Sequence, residues 1–242
     1  MTPLYFYILL FSIAVPLLYT IIFKDFIKYW KLFTISTVVV ALIFLIWDYY
    51  FTAIGVWSFN YDYCLGIELL GMPLEEWLFF LIIPFCSLFI HYCAITINPN
   101  FKFNKKASLY FTLILMALVI TVAAANITKY YTAINFLFLA MVLFLGLLFF
   151  RTHLQEFYAS FILILIPFFI VNGILTGSFI EVPIVSYNNL ENLGIRLFTI
   201  PIEDIGYAFS MLFGNLMIFE TLKKRFLKTW VAEMIVTFDC YF

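Results

Sequence analysis

Charge is what this sequence has least of. Asp, Glu, Lys and Arg make up 11% of the chain and balance to a net −1, so there is no basic field to attract nucleic acid. His91 and His153 have no second ligand at metal spacing, and no metal site is expected. Four cysteines, Cys64, Cys86, Cys93 and Cys240, show neither ligand spacing nor a secreted disulfide pattern. The nine glycines contain no GxGxxG run, so no flavin is predicted and no cofactor is called for.

Apolar surface, by contrast, is abundant. Hydrophobic residues are 66% of the chain, mean hydropathy is +1.09, and aromatics reach 22% with 32 Phe. Those values lie far outside soluble globular usage. A bilayer core of ~30 Å takes about 20 apolar residues per helix. Seven segments qualify, at 4–23, 32–47, 74–97, 107–125, 132–150, 157–175 and 200–221. The expected fold class is therefore all-α integral membrane, with seven transmembrane helices. No basic residue precedes the first segment, which reads as a retained helix and not a cleaved signal.

The few cations set an orientation. Lys24, Lys28, Lys31, Lys102, Lys105, Lys106, Arg151, Lys223, Lys224, Arg225 and Lys228 fall on one side of that topology, leaving Lys129 and Arg196 on the other. By the positive-inside rule the N-terminus is outside and the C-terminus cytoplasmic. A multi-pass protein of the cell (inner) membrane is expected.

Against this background the acids stand out. Pro73-Leu74-Glu75-Glu76 and Pro201-Ile202-Glu203-Asp204 lie 128 positions apart, each opening an apolar helix. The same gapless shift pairs Ser58 with Ser186, Asn60 with Asn188, Gly66 with Gly194 and Ile67 with Ile195. Eight of the 23 pairs from Ser58 to Phe80 are identical. Two related three-helix units are implied, both with the motif on the outer side. Three crossings alone would invert the second unit, so the helix at 107–125 supplies a fourth. The expected division is 1–98 for the first repeat, 99–131 for the linker with its helix, 132–222 for the second repeat and 223–242 for a cytoplasmic tail, interfacial or disordered after Lys228. Parallel repeats of this kind share an axis along the membrane normal.

Proline at a helix start and carboxylates in the first turn suit the helix dipole without any further function. Adjacent acids occurring twice at membrane depth are less easily dismissed, because such groups are costly and turn inward to functional sites. Adjacent residues diverge by about 100° on a helix, and the sequence favours Glu75 and Glu203 as the inward pair. Behind them lie Phe79, Ile82 and Cys86 on one stripe, and Tyr207, Ser210 and Gly214 on the other. Facing each other, the stripes would line a greasy cavity with acids at its mouth. A carboxylic acid there is a proton donor, a second carboxylate is a counter-anion, and ring faces stabilise a cation. That combination suits carbocation chemistry on a hydrocarbon.

Other residues read more plainly. Cys86 and Cys93 share a helix face and look like packing residues. Asp48, among Trp47, Tyr49 and Tyr50, resembles an interfacial aromatic belt. Glu220 with Lys223 and Lys224 is a helical ion pair. Asn60 and Asn188 either cap the re-entering chain or hydrogen-bond the acids.

Ser58-Phe59-Asn60, Gly66-Ile67 and Pro73-Leu74-Glu75-Glu76-Trp77-Leu78-Phe79-Phe80 resemble the first half of the lycopene cyclase domain family. Ser186-Tyr187-Asn188, Gly194-Ile195 and Pro201-Ile202-Glu203-Asp204-Ile205-Gly206-Tyr207 resemble its second half. This is the small membrane-embedded type, made elsewhere as two subunits and here as one fused chain. The resemblance implies conversion of the linear ends of lycopene to β rings, towards β-carotene, without net redox change. It carries Glu75, Glu76, Glu203 and Asp204 over as catalytic acids. Glu75 or Glu203 is then expected as acid and Glu76 or Asp204 as counter-anion or base, with Phe79, Phe80 and Tyr207 beside the end group and Asn60 and Asn188 near it. The partner is a carotenoid within the bilayer, and a homodimer is left open. The competing readings are a cyclase of a longer C50 carotenoid and a small transporter with inward-facing acids. Against the transporter, the acids lie at helix ends and no mid-span Gly/Pro pair breaks a helix.

Overall fold

A computed structural model describes residues 3–20 and 29–239, with side chains as far as Phe226. The expected end of the first helix at 21–23, with Lys24 and Lys28, and the last three residues lie outside it. Seven helices are described: α1 (Leu4–Thr20), α2 (Trp30–Ala53), α3 (Leu74–Ile97), α4 (Lys105–Ala125), α5 (Tyr130–Phe149), α6 (Arg151–Leu175) and α7 (Glu203–Asp239). Six are long and apolar enough to cross a membrane, and α1 is a shorter apolar helix. This fits a multi-pass membrane protein.

Three boundaries differ clearly from expectation, the first being the start of α6 at Arg151, six residues before the expected 157. Helix α2 runs six residues past Trp47, so Asp48, expected in an interfacial aromatic belt, lies inside the helix and is buried. Helix α7 continues through the basic run to Asp239, past the expected end at 221. Lys223 does not end it, because its ammonium pairs with Glu220 at 3.3 Å and lies over the rings of Tyr29 and Phe219.

The ends of α2 and α6 are built alike. After α2 the amides of Gly55 and Val56 return to the carbonyls of Thr52 and Phe51; after α6 those of Gly177 and Ser178 return to Ile174 and Gly173. Gly55 and Gly177 have φ of +74° and +102°, the left-handed turn that closes a helix C-terminus. Each half then forms a short hairpin before its motif helix. Strand β2 (Glu68–Leu69) pairs with β3 (Met72–Pro73), and β5 (Arg196–Leu197) pairs with β6 (Ile200–Pro201).

A third ladder joins the halves. Strand β1 (Trp57–Phe59) runs antiparallel to β4 (Val185–Tyr187), with Ser58 opposite Ser186. The flanking bonds are reciprocal: the Asn60 amide donates to Ile184 O and the Asn188 amide to Val56 O, both at 2.8 Å. Below this ladder α1 packs on α3 and α5 on α7, while α2 lies against α7 and α6 against α3. The first half's second helix thus braces the second half's motif helix, and the reverse. Helix α4 packs mainly on α5.

Candidate active site

The motif acids divide into two kinds. Glu75 and Glu203 are fully buried, at 0% exposure each. Glu75 Oε1 accepts the Leu65 amide at 2.6 Å, and Glu203 Oε1 accepts the Leu193 amide at 2.8 Å and the Thr132 hydroxyl at 2.6 Å. Leu65 and Leu193 precede the two hairpins, so these carboxylates tie each re-entering loop to the first turn of its helix. Neither lines the cavity described below. The sequence favoured them as the inward pair; the hairpin brings a backbone N–H to Oε1 of each, which a carboxyl group accepts, while Oε2 of each stays buried without a partner.

Their neighbours face the other way. Glu76 Oε2 accepts the Tyr5 hydroxyl at 2.6 Å. Asp204 accepts on both oxygens, from Tyr131 on Oδ1 and from Tyr187 on Oδ2, the latter at 2.9 Å. Tyr5 and Tyr131 hold equivalent places at the starts of α1 and α5. Burial, then the charge of Asp204, holds the Tyr187 hydroxyl well above the ordinary phenol range, so it donates and does not ionise.

Both acids open on a cavity of about 680 Å³, within the range of small-molecule sites. Around the acid end stand Trp57, Phe79, Phe80, Tyr131, Tyr187 and Tyr207, with β1 and β4 as its outer roof. A third carboxyl joins them. Asp48 is 3% exposed, lines the same cavity and leaves Oδ2 without a partner. It is close enough to Glu76 to feel its charge. The Tyr207 hydroxyl is also buried and unpartnered, within reach of the charges of Asp48, Glu76 and Asp204. Its ring stands edge-on to Phe44 and Trp47, with centroids 4.9 and 5.1 Å away. Among the described residues that line the cavity there are three carboxyls and no Lys, Arg or His.

The asparagines do local work. Asn60 Oδ1 accepts the Asp62 amide and Asn188 Oδ1 the Leu190 amide, at 3.0 and 3.1 Å. They cap turns beside β1 and β4, and neither lines the cavity. Beneath them Cys64 is buried, and burial followed by the charge of Glu75 pushes its thiol up to about 12. It is a packing residue, inert as a nucleophile. Of the two expected stripes, Phe79, Cys86 and Tyr207 line the cavity while Ile82, Ser210 and Gly214 do not, and Phe80 lines it too.

A family model described as lycopene cyclase matches the chain twice, over residues 2–94 and 128–222. The chain belongs to the lycopene cyclase family. The two matches coincide with the two motif-bearing halves and leave out α4, and family membership implies a carotenoid cyclase. No curated protein matches the chain, and no solved structure does.

Proposed function

We propose that this chain closes the linear ends of lycopene to β rings by proton transfer alone. The observation that carries this reading is the group of three carboxyls on an apolar, ring-lined cavity with no cation in its described lining. Three ionised acids would be prohibitively costly there without cations to pair them. Hydrogen bonding indicates where a proton resides. Asp204 accepts two phenol donors and is suited to the ionised form. Glu76 takes the Tyr5 hydroxyl, and Asp48 keeps Oδ2 buried without a partner. In this reading the two share one proton, since two adjacent charges without a cation would repel each other.

The pair delivers that proton to the terminal C=C of an end group. The tertiary cation is attacked by the next double bond, forming the ring C–C bond and moving the positive charge onto a ring carbon. Asp204 and the faces of Tyr207, Phe80 and Trp57 stabilise the charge. The emptied pair then removes a proton from the adjacent ring carbon, leaving the ring C=C and restoring itself. One proton enters and one leaves, so no electrons are exchanged and the class is an isomerising cyclase. The β1–β4 roof excludes water, which would otherwise trap the cation as an alcohol.

The reading includes the membrane arrangement. The halves 1–98 and 132–222 are related by an axis along the membrane normal, with α4 as the linking span. The acids lie towards the outer side of the cell membrane and the C-terminus is cytoplasmic. The reciprocal β1–β4 register and the shared helix-end geometry support that symmetry.

Membranes carrying the chain, supplied with lycopene in D₂O, test the chemistry. Each ring closed should retain one non-exchangeable deuterium, and Glu76→Gln should leave lycopene linear. Rings formed without deuterium would refute proton-initiated closure.

A further inference from the structure

The cavity is far longer than one end group. On α3 it is lined by Glu76, Ile83, Ile90 and Ile97, every seventh residue down a single face. Those 21 residues at 1.5 Å each give a run of about 30 Å, which matches the hydrocarbon depth of a bilayer. Below the acids its walls are mainly apolar or aromatic, with Val15 and Tyr19 of α1 and Pro167 and Phe168 of α6 among them, and Ser12, Ser87 and Asn172 as the polar exceptions. The α1 wall and the inner end open outward: Phe11 is 72% exposed and Ile97 73%. The groove is therefore accessible sideways from lipid.

Among the described residues the second half shows no such groove. The residues of α7 equivalent to Glu76, Ile83 and Ile90 are Asp204, Met211 and Ile218, and lining stops at Met211 and Leu212. Further down, the space is filled. Phe213 lies against Gly146 of α5, and Phe219 stands edge-on to Phe33 of α2 at 5.9 Å. Of α5, only Tyr131 at its start reaches the cavity. Two related halves thus provide one acid site and one groove.

We infer that this groove holds the polyene tail of the linear substrate alongside α3, with one end group at the acids and the other at the inner end of the helix. The inference rests on the cyclase reading. A rod with one end at the acids and the other about 30 Å away presents one end for reaction. Each binding event closes one ring, and the product has to leave into the lipid and return reversed for the second.

Two measurements test this on the full chain in membranes. In the first, labelled lycopene is allowed a partial turnover and then chased with excess unlabelled lycopene. Label should remain in the one-ring product; labelled two-ring product forming undiluted by the chase would overturn the inference. In the second, Ala94→Trp narrows the groove about 27 Å below Glu76. Lycopene turnover should fall at least about tenfold, the cost of keeping about two carbons of tail out of the groove. A truncated polyene with one linear end group and half the tail should keep its rate within about twofold, being too short to meet the new ring. Ile97→Trp, at the exposed rim, should discriminate in the same way and reads the groove where Ala94→Trp impairs insertion. No loss on lycopene, or equal loss on both substrates in both variants, would overturn the inference. If the wild-type chain converts neither substrate, the cyclase reading fails instead.

Discussion

Replacing each motif glutamate by glutamine separates chemistry from architecture. Glu76→Gln keeps an amide oxygen for the Tyr5 hydroxyl but breaks the pair that holds the reacting proton. General acid–base catalysis contributes about 10²–10⁴ in rate. At 1.36 kcal/mol per tenfold, that is a barrier rise of about 3–5 kcal/mol with little change in stability. Glu75→Gln leaves an oxygen to accept the Leu65 amide and removes only the charge assistance. That is the difference between a charged and a neutral hydrogen bond, about 1 kcal/mol. Glu203 serves two donors, Leu193 and Thr132, so Glu203→Gln should cost about 2 kcal/mol. Each kcal/mol corresponds to about 2–4 °C of thermal midpoint for a chain of this size. The assay is the initial rate of cyclic product in membranes beside the unfolding midpoint in detergent, for all three variants. Glu76→Gln should lose the rate and keep the midpoint, and the other two should do the reverse. If Glu75→Gln abolished turnover at an unshifted midpoint while Glu76→Gln stayed active, the assignment of the two acid kinds would be refuted.

Two further outcomes follow from the packing and the third acid. Asp48→Asn should lower kcat by about 10² or more, the usual cost of losing one pre-arranged charged group at a reacting centre; a rate within threefold of wild type, with about that precision, would return Asp48 to a packing role. Gly146→Ala places a methyl 2.7 Å from the fully buried Phe213 ring, which already packs on Phe157 and Phe209 with centroids 5.2 and 5.7 Å away. Overpacking of this kind costs about 1–3 kcal/mol, and an unshifted thermal midpoint would show that α5 and α7 are less closely packed than described.

How much of this was legible beforehand depends on the residue. The seven apolar segments and the duplicated motif were plain, because scarce charge makes each acid conspicuous. Which acid of each pair turns inward was not. The 100° between neighbours says only that they diverge, and the outcome depends on where the hairpin delivers the Leu65 and Leu193 amides. Asp48 was hidden by its company: Trp47, Tyr49 and Tyr50 have the composition of a membrane rim, and only the extension of α2 to Ala53 turns the carboxyl inward. Tyr5 and Tyr131 escaped a gapless comparison because they stand 71 and 73 residues before the acids they serve. The two-residue difference breaks the 128 shift. The helical continuation past Lys223 was masked by a basic run that elsewhere marks a helix end.

The centring of one ladder on Ser58 and Ser186 has a bearing on how such a chain could arise. A strand whose partner is its own counterpart, paired about its middle residue, is complementary to itself. A single ancestral half could therefore have clasped a second copy through the same bonds, with α2 of each copy bracing the motif helix of the other. Such a dimer would carry two equal acid sites and no need for α4. Joining such copies in one chain would call for an extra crossing like α4, and would free one half to fill its groove while the other stayed open.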